Sequence, residues 1–161
     1  MKYVIIGGRK CGTSSLEVFL NMQGFNVVRR EQLFTKNDGY DLYNLEFSDY
    51  QPVLILREPI DRAYSDYKFA VQEKRPKCFN KKGVLSFREY CLLENYDPGM
   101  GELNPLKQSN YKKWFDNWNM KIDIMTLEDM KKVKGFPKLN SVEGKISKED
   151  RAWTKDKLNE M

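Results

Sequence analysis

Three stretches of this chain bring cations, hydroxyls and a carboxylate together as chemistry on phosphate esters requires. In GGRKCGTSSL (7–16) two glycines are followed by Arg9 and Lys10, then Gly12, then the hydroxyls of Thr13, Ser14 and Ser15. Unpaired N–H groups at the start of a helix attract an anion, and the helix dipole favours negative charge there. Gly12 permits close backbone approach, and Lys10 adds a point charge beside a phosphate. A nucleotide-hydrolysing loop reads GxxxxGK[ST], with lysine after the last glycine. Here Lys10 precedes Gly12, and Thr13 stands where that lysine is expected. The plain alternative is an ordinary strand–turn–helix connection with an incidental lysine.

The second stretch is LILREPIDRAYSDY (54–67), in which Arg57 directly follows an apolar run. Ligands of open α/β sheets bind at such strand ends. Arg57 and Ser65 could grip a second phosphate, the arginine through its fork of donors and the serine through its hydroxyl. Alternatively Arg57 caps a strand end and Arg62 pairs with Glu58 at i, i+4 on a helix. The third stretch is RREQLF (29–34), where Glu31 is the carboxylate best placed to face the opening loop and take a proton from a hydroxyl. Its alternative is a solvated glutamate paired to Arg29 or Arg30.

Composition narrows the chemistry. The chain has 161 residues, enough for one domain with a real core, and it is 40% hydrophobic and 13% aromatic. A net charge of +5 favours anionic partners. With 0 histidines, a His-ligated metal site, a Ser-His triad and a histidine base are all excluded. The 3 cysteines, Cys11, Cys78 and Cys91, are widely spaced and suggest a reducing compartment rather than a disulfide framework. No run approaches the roughly 20 apolar residues of a membrane span, and the opening strand lacks a signal-peptide cleavage pattern. These features lead to the expectation of a cytoplasmic protein.

The elements that must position these residues alternate. Strands are expected at 2–6, 25–28, 52–56 and 121–127, and helices at 13–22, 59–73, 85–94, 110–118 and from 147 to the end. Leu16, Phe19 and Leu20 give the first helix its apolar face, and Pro59 suits a first helical position. Ser86 and Ser147 stand as N-caps, and Tyr111, Trp114, Phe115 and Trp118 form an apolar stripe suited to the core. Residues 96–105 form a loop, and 131–145 are basic and irregular. Alternation of this kind predicts an α/β fold with a mostly parallel central sheet flanked by helices.

In this order the three stretches resemble the PAPS-dependent sulfotransferases (PAPS is 3′-phosphoadenosine 5′-phosphosulfate), nearest to the heparan-sulfate glucosaminyl 3-O-sulfotransferase type. That family's 5′-phosphosulfate loop, G-x-[RP]-K-x-G-T-[TSR]-x-L, is matched by GGRKCGTSSL, and its R-x-P-x-x-R-x-x-S motif by REPIDRAYS. SDYKFAVQEKRPKCF, ELNPLKQSNYKKWFDNW and KIDIMTLEDM are similar to its continuation, so the resemblance spans roughly residues 2–130.

The resemblance implies a single domain over 1–161 with a P-loop-NTPase-like sulfotransferase fold, using PAPS and releasing PAP with no metal. Arg9, Lys10, Cys11, Gly12, Thr13, Ser14 and Ser15 would form the 5′-phosphosulfate loop, with Lys10 at the bridging oxygen. Arg57 and Ser65 would hold the 3′-phosphate, joined by Lys145 of EGK. Glu31 would be the base, although Leu33 stands where the family has a histidine. The acceptor would be a hydroxyl or amine, a small molecule or a glycan, with the basic run KRPKCFNKK (74–82) facing an acidic sugar or simply forming a solvated loop. Neither a nucleic acid nor a membrane is expected as a partner. The competing readings are a PAP- or nucleotide-binding module without turnover, a P-loop nucleotide kinase and a basic nucleic-acid-binding domain; no recognised module supports the last.

Overall fold

The computed structural model describes residues 1–36, 38–96, 104–109, 118–139 and 144–161. They gather into two compact units, one of residues 1–57 and 111–141, the other of 58–110 and 142–161.

The first unit holds β1 (Lys2–Gly7), α1 (Thr13–Met22), β2 (Asn26–Arg29), α2 (Glu31–Thr35), α3 (Gly39–Glu46) and β3 (Gln51–Leu56). After these come β6 (Asp123–Thr126) and the short α6 (Leu127–Met130). The sheet is parallel throughout, in the order β2-β1-β3-β6. Both central strands are apolar runs because both faces of a parallel sheet are covered. Ile5, Val53 and Ile55 join Cys11, Leu16 and Leu127 in one buried cluster, against which Phe136 packs. The intervening Val4, Ile6 and Leu54 are equally buried, and strand alternation turns them to the opposite face. β1 runs out on one side to β2, and β3 returns on its other side. The carboxyl ends of β1 and β3 are therefore a topological switch point, the usual ligand crevice of such sheets.

The second unit holds α4 (Pro59–Gln72), the antiparallel pair β4 (Phe79–Asn80) and β5 (Gly83–Val84), α5 (Phe87–Cys91) and α7 (Lys148–Asn159). Its helices start on their own side chains. Glu58 caps α4 through the Asp61 N–H at 2.7 Å, with Pro59 in the first turn. Ser86 and Glu89 form a reciprocal capping box on α5, and Ser147 accepts from the Asp150 N–H at 3.1 Å on α7. The core here is aromatic, with Phe87, Tyr90 and Tyr96 buried beside Cys78 and Cys91 and flanked by Tyr64 and Tyr67.

The expected strands and the helices at 13–22, 59–73 and 147 onward are present within a residue or two, apart from β6, which is shorter than 121–127. The helix expected at 85–94 is shorter, ending at Cys91. The structure adds α2, α3, α6 and the β4–β5 pair, none of which the residue pattern announced. The helix expected at 110–118 lies outside the described residues except for Trp118, which is buried against Tyr40 and Tyr43. Most of the 96–105 loop is likewise outside them. Among the described residues no helix is long and apolar enough to cross a membrane.

Candidate active site at the switch point

The turn from β1 into α1 is held in an unusual backbone shape. Lys10 has φ 59° and Gly12, the N-cap of α1, has φ 92°. Only glycine adopts the second conformation at little cost. A Cβ on Gly12 would also stand 2.6 Å from a Leu127 methyl group. No side chain caps α1. That contrasts with α4, α5 and α7, each closed by its own residue.

The predicted loop residues take different parts. Cys11 is fully buried in the sheet core, its thiol donating weakly to the Arg9 carbonyl at 3.8 Å, so what it can offer a ligand is backbone. Thr13 and Ser15 are buried, while Arg9, Lys10 and Ser14 are half-buried. All three hydroxyls are engaged within the protein. Thr13 Oγ1 donates to Glu31 Oε1 in a short hydrogen bond. Ser14 Oγ accepts from Arg29 Nη1 at 2.7 Å. Ser15 Oγ accepts from the Leu139 N–H at 3.0 Å, pinning the end of the basic 131–139 segment against α1.

Glu31 opens α2 just after β2 and so reaches the glycine-rich turn, as the sequence led us to expect. It also pairs with Arg29 at 3.6 Å, so the contact with the loop and the expected Arg29 ion pair coexist. Both contacts fall on Oε1, which grips the carboxylate by one oxygen.

Arg57 leaves β3 at the same sheet edge, and its Nη1 donates to the Lys10 carbonyl at 2.9 Å. This bond ties the end of β3 to the left-handed turn at Lys10. Arg62 meets an acid other than the Glu58 expected at i, i+4. The Arg62 side chain is wholly buried in the second unit, 4.0 Å from Asp66, with Nη2 donating to the Pro105 carbonyl. Glu58 instead caps α4 and meets Arg151 at 3.5 Å. The helical periodicity that suggested i, i+4 also allows the inward rotamer, and a buried acid at position 66 selects it.

Ser65 and Lys145 belong to the second unit. Ser65 is half-buried on α4. Lys145 is exposed and follows Gly144, where a Cβ would stand 3.6 Å from the Tyr64 hydroxyl and 3.7 Å from Lys68 Cε of the same helix. The acidic pair Glu128 and Asp129 sits in the first turn of α6, capped by Thr126 at 3.2 Å. Arg29 is the polar residue of this region that the sequence reading left without a role beyond an ion pair. Its position as the last residue of β2, two residues before Glu31, was the available signal. Among the described residues no group of three or more acidic or thiol side chains is arranged to hold a metal ion.

A parallel sheet with a glycine-rich strand-to-helix turn at its switch point is the architecture of P-loop-like α/β proteins. Comparison with solved structures narrows the class. A sulfotransferase from Alicyclobacillus acidocaldarius superposes with a TM-score of 0.65 at 14% sequence identity, over 99% of this chain and 92% of that one. The fold is thus the α/β sulfotransferase fold. No protein-family model and no curated protein matches the chain.

Proposed function

We propose that the protein is a sulfotransferase that moves a sulfonate group from PAPS to an acceptor hydroxyl or amine, with a carbohydrate as the favoured acceptor class. The observation that carries this reading is the meeting, at one sheet edge, of an uncapped helix start, Lys10 ahead of Gly12, and Glu31 bonded to Thr13. The residues present fit such a donor. Gly12 supplies the positive φ that the turn requires, at a place where a Cβ would strike Leu127, and Arg9 and Lys10 make the loop cationic.

When bound, PAPS supplies the sulfonate and a phosphate-like leaving group. The first-turn amides of Thr13, Ser14 and Ser15 would hold its 5′-phosphate, with Arg9 and the Cys11 backbone completing the loop. Lys10 would stabilise the negative charge that gathers on the bridging oxygen as the sulfur–oxygen bond breaks. Glu31 would take the proton of the acceptor as the new bond forms, using Oε2 while Oε1 stays gripped. Transfer of this kind is mostly positioning and charge stabilisation. Assignment of the 3′-phosphate to Arg57, Ser65 and Lys145 rests on the R-x-P-x-x-R-x-x-S and EGK patterns. The likeness to the heparan-sulfate 3-O type likewise rests on the sequence motifs.

Calorimetry decides the donor. Wild type should bind PAP and not ATP. Arg57→Ala should lose affinity for PAP while keeping that for adenosine 5′-phosphosulfate, which lacks the 3′-phosphate. Preference for ATP would favour a nucleotide kinase. PAP binding with no turnover of PAPS would favour a binding module. Equal loss of both ligands would assign Arg57 only to holding the Lys10 turn.

A further inference from the structure

We infer that Arg29 is a positioning residue for sulfonate transfer, tying the phosphate loop to the base and acting through Glu31. The inference deepens the sulfotransferase reading and rests on it.

Arg29 ends β2, and its backbone is fixed on the central strand. It pairs in register with Ile5, and the next residue donates from Arg30 N to the Ile5 carbonyl at 2.9 Å. From that fixed root the guanidinium reaches three groups. Nη1 donates to Ser14 Oγ at 2.7 Å and lies 3.6 Å from Glu31 Oε1, while Nε lies 3.5 Å from Glu17 Oε2. Thr13, the neighbour of Ser14, donates to that same Oε1. The contacts close a ring, from Thr13 to Glu31 to Arg29 to Ser14 and back along the first turn of α1.

The ring is not there for the core. The Arg29 side chain is 39% exposed, and ion pairs so placed contribute little to stability. What the ring does is remove freedom. A glutamate on a short helix start has several torsions to fix, and here one carboxylate oxygen is held from two sides, by Thr13 of the loop and by Arg29 at the end of β2. A planar fork can serve Ser14, Glu17 and Glu31 at once, whereas a lysine ammonium is one point on a flexible stem. Displacement of a reacting group by about 1 Å costs on the order of 10²-fold in rate. The loss should therefore fall on turnover and spare nucleotide affinity, because Arg29 meets the Ser14 hydroxyl and not the first-turn amides.

The test uses the full chain with Arg29→Ala, Arg29→Lys, Glu31→Gln and the Arg29→Ala/Glu31→Gln double variant. Three quantities are read: PAP release from PAPS with water as acceptor, PAP affinity by calorimetry, and the Glu31 Cδ resonance in ¹³C-labelled protein. Arg29→Ala should lower kcat by roughly 10- to 100-fold with PAP affinity held within about twofold, and Arg29→Lys should not restore it. In the Glu31→Gln background Arg29→Ala should change kcat by less than about twofold, because both act through one carboxylate. The Glu31 resonance should move in Arg29→Ala.

Multiplying effects in the double variant, or lost PAP affinity with kcat kept, would overturn the inference. So would an unmoved Glu31 resonance. Failure of the parent reading looks different. If wild type neither binds PAP nor releases it from PAPS, the sulfotransferase reading is refuted, and the resonance alone decides whether Arg29 holds Glu31. If Glu31→Gln turns over normally, the base is refuted and Arg29 loses its role in transfer.

Discussion

Arg57 and Arg62 belong to one short segment, yet they meet opposite environments. Arg57 ends the sheet of the first unit, half-buried, and gives an N–H to the Lys10 carbonyl at 2.9 Å. Arg62 lies in the second unit with no exposed surface, against Asp66 and the Pro105 carbonyl. Asp66 in turn accepts from the Tyr90 hydroxyl at 2.7 Å. An arginine that serves an anion must keep donors addressable at a strand end. One that holds a core gives them to buried acceptors, and a charge there is tolerated only while it is paired. A motif that fixes both positions mixes the two duties.

The largest effect should come from breaking the buried side of this comparison. Arg62→Ala removes the ion-pair partner of the buried Asp66 and should lower the unfolding free energy by about 3–5 kcal/mol. Replacing the pair together, Arg62→Met with Asp66→Leu, should cost far less. Arg57→Ala should change stability by less than about 1 kcal/mol, the scale of one neutral-acceptor hydrogen bond, while altering PAP binding. Urea denaturation of the variants checks this, and equal destabilisation by Arg57→Ala and Arg62→Ala would erase the distinction.

Lys10→Ala probes the open side. Loss of one charge-stabilising donor should reduce PAPS turnover by about 10²–10³-fold, with the urea midpoint and PAP affinity nearly unchanged. A fall in stability comparable to that of Arg62→Ala would make Lys10 a structural cation after all.

Alkaline pH should bear on the aromatic core of the second unit. Burial pushes the Cys91 thiol from 9.0 up to about 12, and it pushes the Tyr96 phenol from 10.0 to about 12. Burial also raises Tyr90, with the nearby Asp66 charge adding to it. These groups keep their protons in the folded state at pH values where the unfolded chain releases them. Their contribution is complete below pH 9 and is lost as pH climbs toward 12, at roughly 1.4 kcal/mol for each pH unit per group in that window. Unfolding free energies measured between pH 7 and 11 should fall only above about pH 9. A flat profile would mean that these groups are solvated.

How far the sequence speaks follows from where each signal lives. Thr13 to Met22, the Pro59 start of α4, Ser86 and Ser147 carry local signals, namely apolar spacing, a ring-fixed φ or a capping hydroxyl, and these elements were legible. α2 and α3 were not. Neither Arg30 nor Asp38 caps its helix with a side chain. The glycine opening α3 is required by packing, since a Cβ on Gly39 would stand 1.8 Å from the Leu33 carbonyl. The meeting of Glu31 with the loop was legible because parallel β1 and β2 must end together. The inward turn of Arg62 was not, because nothing local says which neighbour a buried guanidinium will find.

The smallest expected effect is the sharpest for the helix ends. Ser147 closes α7 with its own hydroxyl, whereas α1 begins at Gly12 with no side-chain cap. Ser147→Ala should cost about 1 kcal/mol of stability, the usual worth of a cap. On the proposed reading the thermal shift that PAP would induce should be unaltered, since the groups assigned to it are the α1 start, Arg57, Ser65 and Lys145, and the Ser147 hydroxyl is given to the Asp150 N–H. Saturating PAP should raise the midpoint of wild type and Ser147→Ala by the same increment, because ligand stabilisation depends on affinity and concentration alone. A smaller increment in the variant would mean that α7 contributes to the nucleotide site. That result would move the functional boundary from the switch point of the sheet into the helices that follow it.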